Sequence, residues 1–336
     1  MTLKEVLCVF AFLTGFCTWI WILLKRKTES ENIIPLSVNY HFTRACNYAC
    51  KFCFHTDKSK VKRPILEDAQ RLLGLLYQAG SRKINFSGGE PFLFPKLLGE
   101  MCRFSKEQGF ESVSIVSNGS RITRAWFESY GKFVDILAVS CDSFKVETNI
   151  THGRMELHRD TRKFLLQVAK WCNEFQVGFK INSVITRINA SEDMSKEILK
   201  LNPCRWKVFQ CLLIKGENTG GPGERRDATD LVISDDQFNE FVKRHLEKGV
   251  LQIVPESNRD MKDSYLIVDE EFRFLNCRDG AKTPSRSILE VGVAIALEEA
   301  GWDIDAFHRR RGVYRWKKEE VVHSPRDLRD IEDLIQ

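Results

Sequence analysis

Between Ser37 and Ile214 one pattern recurs six times: a short apolar run, a polar loop, then an amphipathic stretch. The runs are Ser37–Phe42, from Lys83, from Ser112, from Asp135, Val177–Ile185 and Trp206–Ile214. Helical spacing falls at Glu67–Gly80, 96–108, 123–130, 161–174, 192–201 and Ser234–Lys248. Near-continuous apolar strands alternating with amphipathic helices predict a parallel sheet with its helices outside. The fold class expected is α/β, a partial (β/α)6 barrel of the TIM type with a C-terminal extension. The loop "KGENTGGPGERRDAT" opens that extension, and Tyr265–Asn276 reads as a hairpin of two strands within it.

The chain has 336 residues, 43% of them hydrophobic and 29% charged, which suits a globular protein with a sizeable core. A net charge of +5 is too dilute for nucleic-acid binding and allows only a local basic pocket. Eleven scattered cysteines do not make a disulfide framework and point to a reducing compartment. Cys102, Cys141, Cys172, Cys204 and Cys211 lie in apolar patterns and read as small buried hydrophobes. Val6–Leu24 carries no charge and is followed at once by Lys25, Arg26 and Lys27. That order predicts a membrane anchor with the rest of the chain on the cytosolic side. The division expected is an anchor with basic flank (1–27), a linker (28–36), the barrel (37–215), the extension (216–316) and a charged tail (317–336).

The loop after the first strand reads "HFTRACNYACKFCFH" and spaces Cys46, Cys50 and Cys53 as C-x3-C-x2-C. Three thiolates can hold three corners of a cubane iron–sulfur cluster and leave one iron open. With His55 they could equally supply four zinc ligands, and the motif alone leaves both readings open. The second strand runs into "FSGGEP", where Gly88 and Gly89 let backbone approach a ligand and Glu90 offers a carboxylate to an ammonium group. Ser117–Gly119, Ser140–Asp142, Lys180, Asn182 and Lys207–Gln210 add polar groups in or at the ends of the strands, and the carboxyl ends form the binding face of such sheets.

Together, the cysteine spacing with Phe52 before the last cysteine, and "GGEP" after the second strand, resemble the radical S-adenosylmethionine superfamily. The resemblance implies a 4Fe–4S cluster on Cys46, Cys50 and Cys53, and S-adenosylmethionine bound on its open iron. Phe52, Gly88, Gly89, Glu90, Asn118, Ser140 and Asp142 would contact that cofactor. The segments "DILAVSCDSF", "FKINSVI", "NPCRWKVFQCLLIKGEN", "VPESN" and "MKDSYLIVDEEFRFLNC" are further similar to the viperin family of antiviral enzymes, over roughly Ser37 to Trp316. That resemblance implies conversion of CTP, or another pyrimidine nucleoside triphosphate such as UTP, to its 3′-deoxy-3′,4′-didehydro form. An adenosyl radical would take the ribose 4′ hydrogen, and water would then be lost. It also implies the cytosolic face of the endoplasmic reticulum or lipid droplets, an electron donor, and cytosolic iron–sulfur assembly factors. The family ends on a tryptophan, whereas this chain runs on through "KKEEVVHSPRDLRDIEDLIQ".

The residues themselves support an anionic substrate. Lys180, Arg205 and Lys207 lie on neighbouring strands, and a lysine within apolar strand sequence is costly to bury unless an anion meets it. By resemblance, Asn182 and Tyr265 line the same pocket, and an arginine of "RRRGVYRW", Arg311, closes over the phosphates. The rival readings are the same radical chemistry on another phosphorylated substrate, and a zinc-binding membrane scaffold.

Overall fold

The computed structural model describes residues 34–56, 63–154, 161–262, 264–276 and 281–310. The apolar run Val6–Leu24, its basic flank, Arg311 and the charged tail lie outside the described residues. Among the described residues no helix is long and apolar enough to cross a membrane.

The six expected repeats are present. Strands β1 (Ser37–His41), β2 (Lys83–Ser87), β3 (Ser112–Ser117), β4 (Ile136–Ser140), β5 (Gly178–Ile185) and β6 (Arg205–Gln210) pair in parallel, each with the next. Helices α1 (Leu66–Gln78), α2 (Pro95–Gln108), α3 (Arg124–Tyr130), α4 (Val146–His152), α5 (Thr161–Glu174), α6 (Ser195–Leu201) and α7 (Asp235–Glu247) fall between them or follow. Local chemistry sets the helix ends. Pro95 opens α2 and Gly109 closes it in the left-handed conformation, while Thr123 caps α3 through Trp126 N at 3.3 Å. Ser234 and Gln237 form a reciprocal capping box on α7.

The extension adds β7 (Ile253–Glu256), α8 (Asn258–Met261), β8 (Ile267–Val268), β9 (Arg273–Asn276), β10 (Thr283–Ser287), α9 (Ile288–Val291), α10 (Val293–Ala300) and α11 (Ile304–Arg309). The expected hairpin is β8 with β9, and β8 also pairs in parallel with β1. The result is a ten-stranded sheet in the order β10-β9-β8-β1-β2-β3-β4-β5-β6-β7. One expectation needs correcting: β6 stops at Gln210 instead of running to Ile214.

Val38, Tyr40, Ile84, Phe86, Val113, Ile115, Leu137 and Ile181 face the helices and join Leu72, Leu73 and Leu76 of α1 in the core. Each such large apolar side chain contributes about 1.5–3 kcal/mol by leaving water. The alternate residues, among them Ser37, Asn39, His41, Lys83, Asn85, Ser114, Asn182 and Lys207, line one cavity of about 640 Å³. The sheet therefore curls around a lumen in which these polar groups are set among apolar ones such as Val116, Ile136, Ala138 and Phe209. Cys102, Cys141, Cys172 and Cys211 are buried as expected, but Cys204, just before β6, is exposed.

Candidate active site

Cys46, Cys50 and Cys53 all lie on the wall of this cavity, at the carboxyl end of β1, and none is in a disulfide. Two backbone bonds hold their loop against the turn after β2: Gly89 N donates to Thr43 O at 2.6 Å and Glu90 N to Ala45 O at 2.8 Å. Two more, Ala49 N to Gly153 O at 3.0 Å and Lys51 N to His152 O at 2.9 Å, tie it to the end of α4. The glycines are required sterically. A Cβ on Gly88, whose φ is +128°, would sit 2.2 Å from Thr43 O, and one on Gly89 would sit 2.0 Å from Ala45 O.

Burial pushes the Cys46 thiol up, and the Cys50 thiol up to about 12. A thiolate there needs a metal to hold it deprotonated. Among the described residues no group of three or more His, Cys, Asp or Glu is placed to hold a single metal ion. His55, the fourth ligand a zinc site would require, turns elsewhere: Nδ1 lies 3.1 Å from Lys282 Nζ and Nε2 3.7 Å from Glu270 Oε2. With His55 engaged by Lys282, the three cavity-facing thiols suit a cluster on three thiolates better than a four-ligand zinc site.

The residues expected around the cofactor divide into two sets. Gly88, Gly89, Asn118, Ser140, Asp142 and Phe52 line the cavity with the cysteines. Phe52 is seated by Cys211, Ala228 and Leu231 and meets His152 edge-on at 5.3 Å. Asn118 Nδ2 donates to Asn47 Oδ1 at 3.0 Å, inside the cysteine loop. Glu90 is placed differently. Its carboxylate is fully buried, off the cavity wall, and accepts from Phe92 N at 3.0 Å, Ser117 Oγ at 2.7 Å and Asn118 N at 2.7 Å. It braces the turn after β2 against the turn after β3. Sequence reasoning missed Arg154, a buried guanidinium that pairs with Asp142 Oδ2 beside Cys50. Asp142 Oδ1 in turn accepts from Val184 N at 2.8 Å.

At the amino ends of the strands the lining is cationic. β5 and β6 set Lys180 opposite Arg205 and Asn182 opposite Lys207, and all four line the cavity. Lys207 Nζ pairs with Glu256 and donates to the Tyr265 hydroxyl at 2.8 Å, while Tyr265 donates to Glu256. Arg311 is outside the described residues; its neighbour Arg310 lies with its guanidinium carbon 3.9 Å from the Tyr265 ring centre and Nη1 3.9 Å from Glu256 Oε1. Lys83, on the first residue of β2, was also missed. Its ammonium nitrogen is buried and has no hydrogen-bond partner among the described residues. Asn182 Oδ1 is likewise without a donor there.

Burial, then Lys207 and Arg205, hold Lys180 well below the usual lysine range. Burial lowers Lys207 to about 8 despite Glu256, and burial lowers Lys83. Burial alone would raise Glu256, yet Lys207 and Arg310 hold it at about 2. Burial, then Glu256, raises Tyr265 well above the usual phenol range, so the cluster as it stands disfavours charge on its lysines and on its tyrosine alike.

Comparison with known proteins agrees. Residues 40–198 match the Radical SAM superfamily. The chain is 53% identical over 300 residues to S-adenosylmethionine-dependent nucleotide dehydratase RSAD2 of Danio rerio, covering 88% of this chain and 82% of that one. It is 36% identical over 303 residues to the S-adenosylmethionine-dependent nucleotide dehydratase of Flammeovirga pacifica, covering 88% of this chain and all of the relative. Streptococcus suis SuiB bound to S-adenosylmethionine shares the fold, with a TM-score of 0.61 at 15% identity over 85% of this chain and 70% of that one. The chain belongs to the radical S-adenosylmethionine superfamily, whose enzymes use that cofactor with a 4Fe–4S cluster, and within it to the viperin family.

Proposed function

We propose that this chain is a nucleotide dehydratase that converts CTP to 3′-deoxy-3′,4′-didehydro-CTP: the ribose 4′ hydrogen atom is removed, and the 3′-hydroxyl then leaves as water after the electron donor supplies a further electron and a proton is taken up. The observation that carries the substrate class is the surplus of cations at one end of the lumen. Lys83, Lys180, Arg205, Lys207 and Arg310 gather there with Glu256 as the carboxylate among them. Cations gathered in such number are favoured by an anion among them, and a triphosphate supplies one of high charge. Arg205 and Arg310 can grip phosphate oxygens bidentately, while the lysines act as point charges.

Cys46, Cys50 and Cys53 would hold the cluster, and cluster and S-adenosylmethionine, when bound, supply the one-electron chemistry that removes the hydrogen atom. Arg154, fixed by Asp142, would meet the carboxylate of S-adenosylmethionine, and the Gly88–Gly89 backbone its ammonium. A nucleotide anchored at the cationic end would direct its ribose along the lumen toward the cysteines. Between the two ends, Asn39, Asn85 and Ser114 form a hydrogen-bonded belt, with Asn85 Nδ2 to Asn39 Oδ1 at 2.8 Å and Ser114 Oγ to Asn85 Oδ1 at 2.9 Å. That belt offers polar partners to a sugar.

The product would lack a 3′-hydroxyl and so would end a growing nucleic-acid chain, which supports an antiviral role. The apolar run Val6–Leu24 and the basic residues after it support anchoring on the cytosolic face of the endoplasmic reticulum or of lipid droplets. An electron donor and cytosolic iron–sulfur assembly factors would be its partners. The test is anaerobic reconstitution, then incubation with S-adenosylmethionine, dithionite and each nucleoside triphosphate. Mass spectrometry should find 5′-deoxyadenosine and a nucleotide lighter by one water with CTP. Turnover of UTP alone would replace CTP as the substrate, and no stimulation by any nucleotide would refute the substrate class.

A further inference from the structure

A second buried charge cluster lies at the cysteine end of the molecule. Arg44 Nε donates to Glu270 Oε1 at 2.7 Å, and Arg44 Nη1 to Glu217 Oε1 at 3.1 Å and Thr56 O at 3.0 Å. Glu217 also accepts from Thr56 N at 3.1 Å and Thr56 Oγ1 at 2.9 Å. Lys282 Nζ stands 3.6 Å from Glu217 Oε1, reaches His55 Nδ1 at 3.1 Å and donates to Phe54 O. Side-chain exposure is 10% for Arg44, 6% for Glu217, 5% for Lys282 and 1% for Glu270.

Stability does not explain four ionic groups in such a place. Removing each from water costs several kcal/mol, and well-packed apolar residues commonly serve as well. Their targets are more informative. Arg44 lies two residues before Cys46, and Phe54, His55 and Thr56 follow Cys53 directly, so the whole network grips the two flanks of the cysteine loop. Glu217 comes from the loop after β6, and Glu270 and Lys282 come from the extension. Lys282 lines the same cavity as the three cysteines, and Glu217 stands behind it. Reduction adds an electron to a cluster, so a nearby buried ammonium favours the reduced form and a nearby buried carboxylate opposes it.

We propose that Lys282 and Glu217 are positioning residues that set the reduction potential of the centre held by Cys46, Cys50 and Cys53, Lys282 raising it and Glu217 lowering it. The proposal rests on the cluster reading of those cysteines. In this account the extension does more than close the substrate end, because it also supplies the charge that tunes the redox end.

The test uses the full chain, reconstituted anaerobically with iron and sulfide, with the cluster titrated potentiometrically and followed by electron paramagnetic resonance. Lys282→Met should lower the midpoint potential, Glu217→Gln should raise it, and Lys282→Arg should stay near wild type. A role in packing alone would move the two charge variants in the same direction, or would change thermal unfolding of the apo chain without changing the potential. Either result overturns the proposal. If Lys282→Met does not fold, Glu217→Gln still decides the sign. A wild-type chain that takes up no iron and sulfide removes the cluster reading and this inference together. A loaded wild type with potentials unmoved by all three variants removes the inference alone.

Discussion

Lys180 and Lys207 carry the clearest residue-scale prediction. Both are held below the usual lysine range by burial and by neighbouring cations, Lys207 at about 8 and Lys180 well below its ordinary value. An arriving polyphosphate favours their charged forms and draws their pKa values back up, so nucleotide binding takes up protons. Calorimetry near pH 8 in buffers of different ionisation heat should show net uptake with CTP, smaller in Lys180→Met. Binding that releases protons, or none, would refute the arrangement. Affinity should also fall as pH rises through about 8, where free Lys207 loses its charge. Glu256 sits on the other side of the same balance. Glu256→Gln leaves Lys207 and Arg310 without their carboxylate and should cost the empty protein roughly 3 kcal/mol in urea unfolding. CTP should recover most of that loss.

At this scale the sequence exposed Lys180, Arg205 and Lys207 because a cation inside a strand pattern is conspicuous. Lys83 and Arg154 escaped, Lys83 as the first residue of a strand and Arg154 as one basic residue near a loop, positions where such side chains ordinarily meet water. The orientation of Glu90 was not legible, because a motif fixes which residue is present and not which way its side chain turns; three buried donors turn it inward.

Among elements, the turn after β2 is the most constrained. Gly89 lies where Ala45 O leaves no room for a side chain, and both atoms are backbone. Gly89→Ala must therefore push the cysteine loop away. Iron incorporation and S-adenosylmethionine affinity should each drop by at least about tenfold, a loss of roughly 1.4 kcal/mol in binding. Far-UV circular dichroism should stay near wild type, because the contact lies outside the strands. Retention of full iron content would show that the loop can shift without consequence. The six repeats were legible because strand and helix periods alternate cleanly through Ile214. β7 was not, since four residues containing Pro255 give too short a run and a proline that usually argues against a strand. The helices from Ile288 to Arg309 escaped as well: the two longer ones have only eight and six residues, too few turns for a helical period to stand out.

On the scale of the molecule, the extension and the barrel share both ends of one lumen. Glu256, Tyr265 and Arg310 meet Lys180, Arg205 and Lys207 at the cationic end, while Glu270 and Lys282 reach the cysteine loop. β8 is hydrogen-bonded to β1, so the last third of the described chain completes the sheet begun by the first strand. A fold linked this way has no natural boundary at residue 215, where sequence texture alone places one. We therefore expect a single unfolding transition, with far-UV circular dichroism and tryptophan fluorescence coinciding, Trp206 reporting from β6 and Trp302 from the extension. Two separated transitions would mean that the extension folds on its own. Because the nucleotide would bridge both parts, its binding should move the whole transition. Saturation at about 100 times Kd adds about 2.7 kcal/mol, or roughly 5 °C in Tm for a chain of this size. The shift should fall in the order CTP, CDP, CMP, because each phosphate lost removes negative charge that the cationic end can meet, and high salt should shrink the differences. Equal shifts for CTP and CMP would place the phosphates outside the lumen and leave its buried charge without an anion.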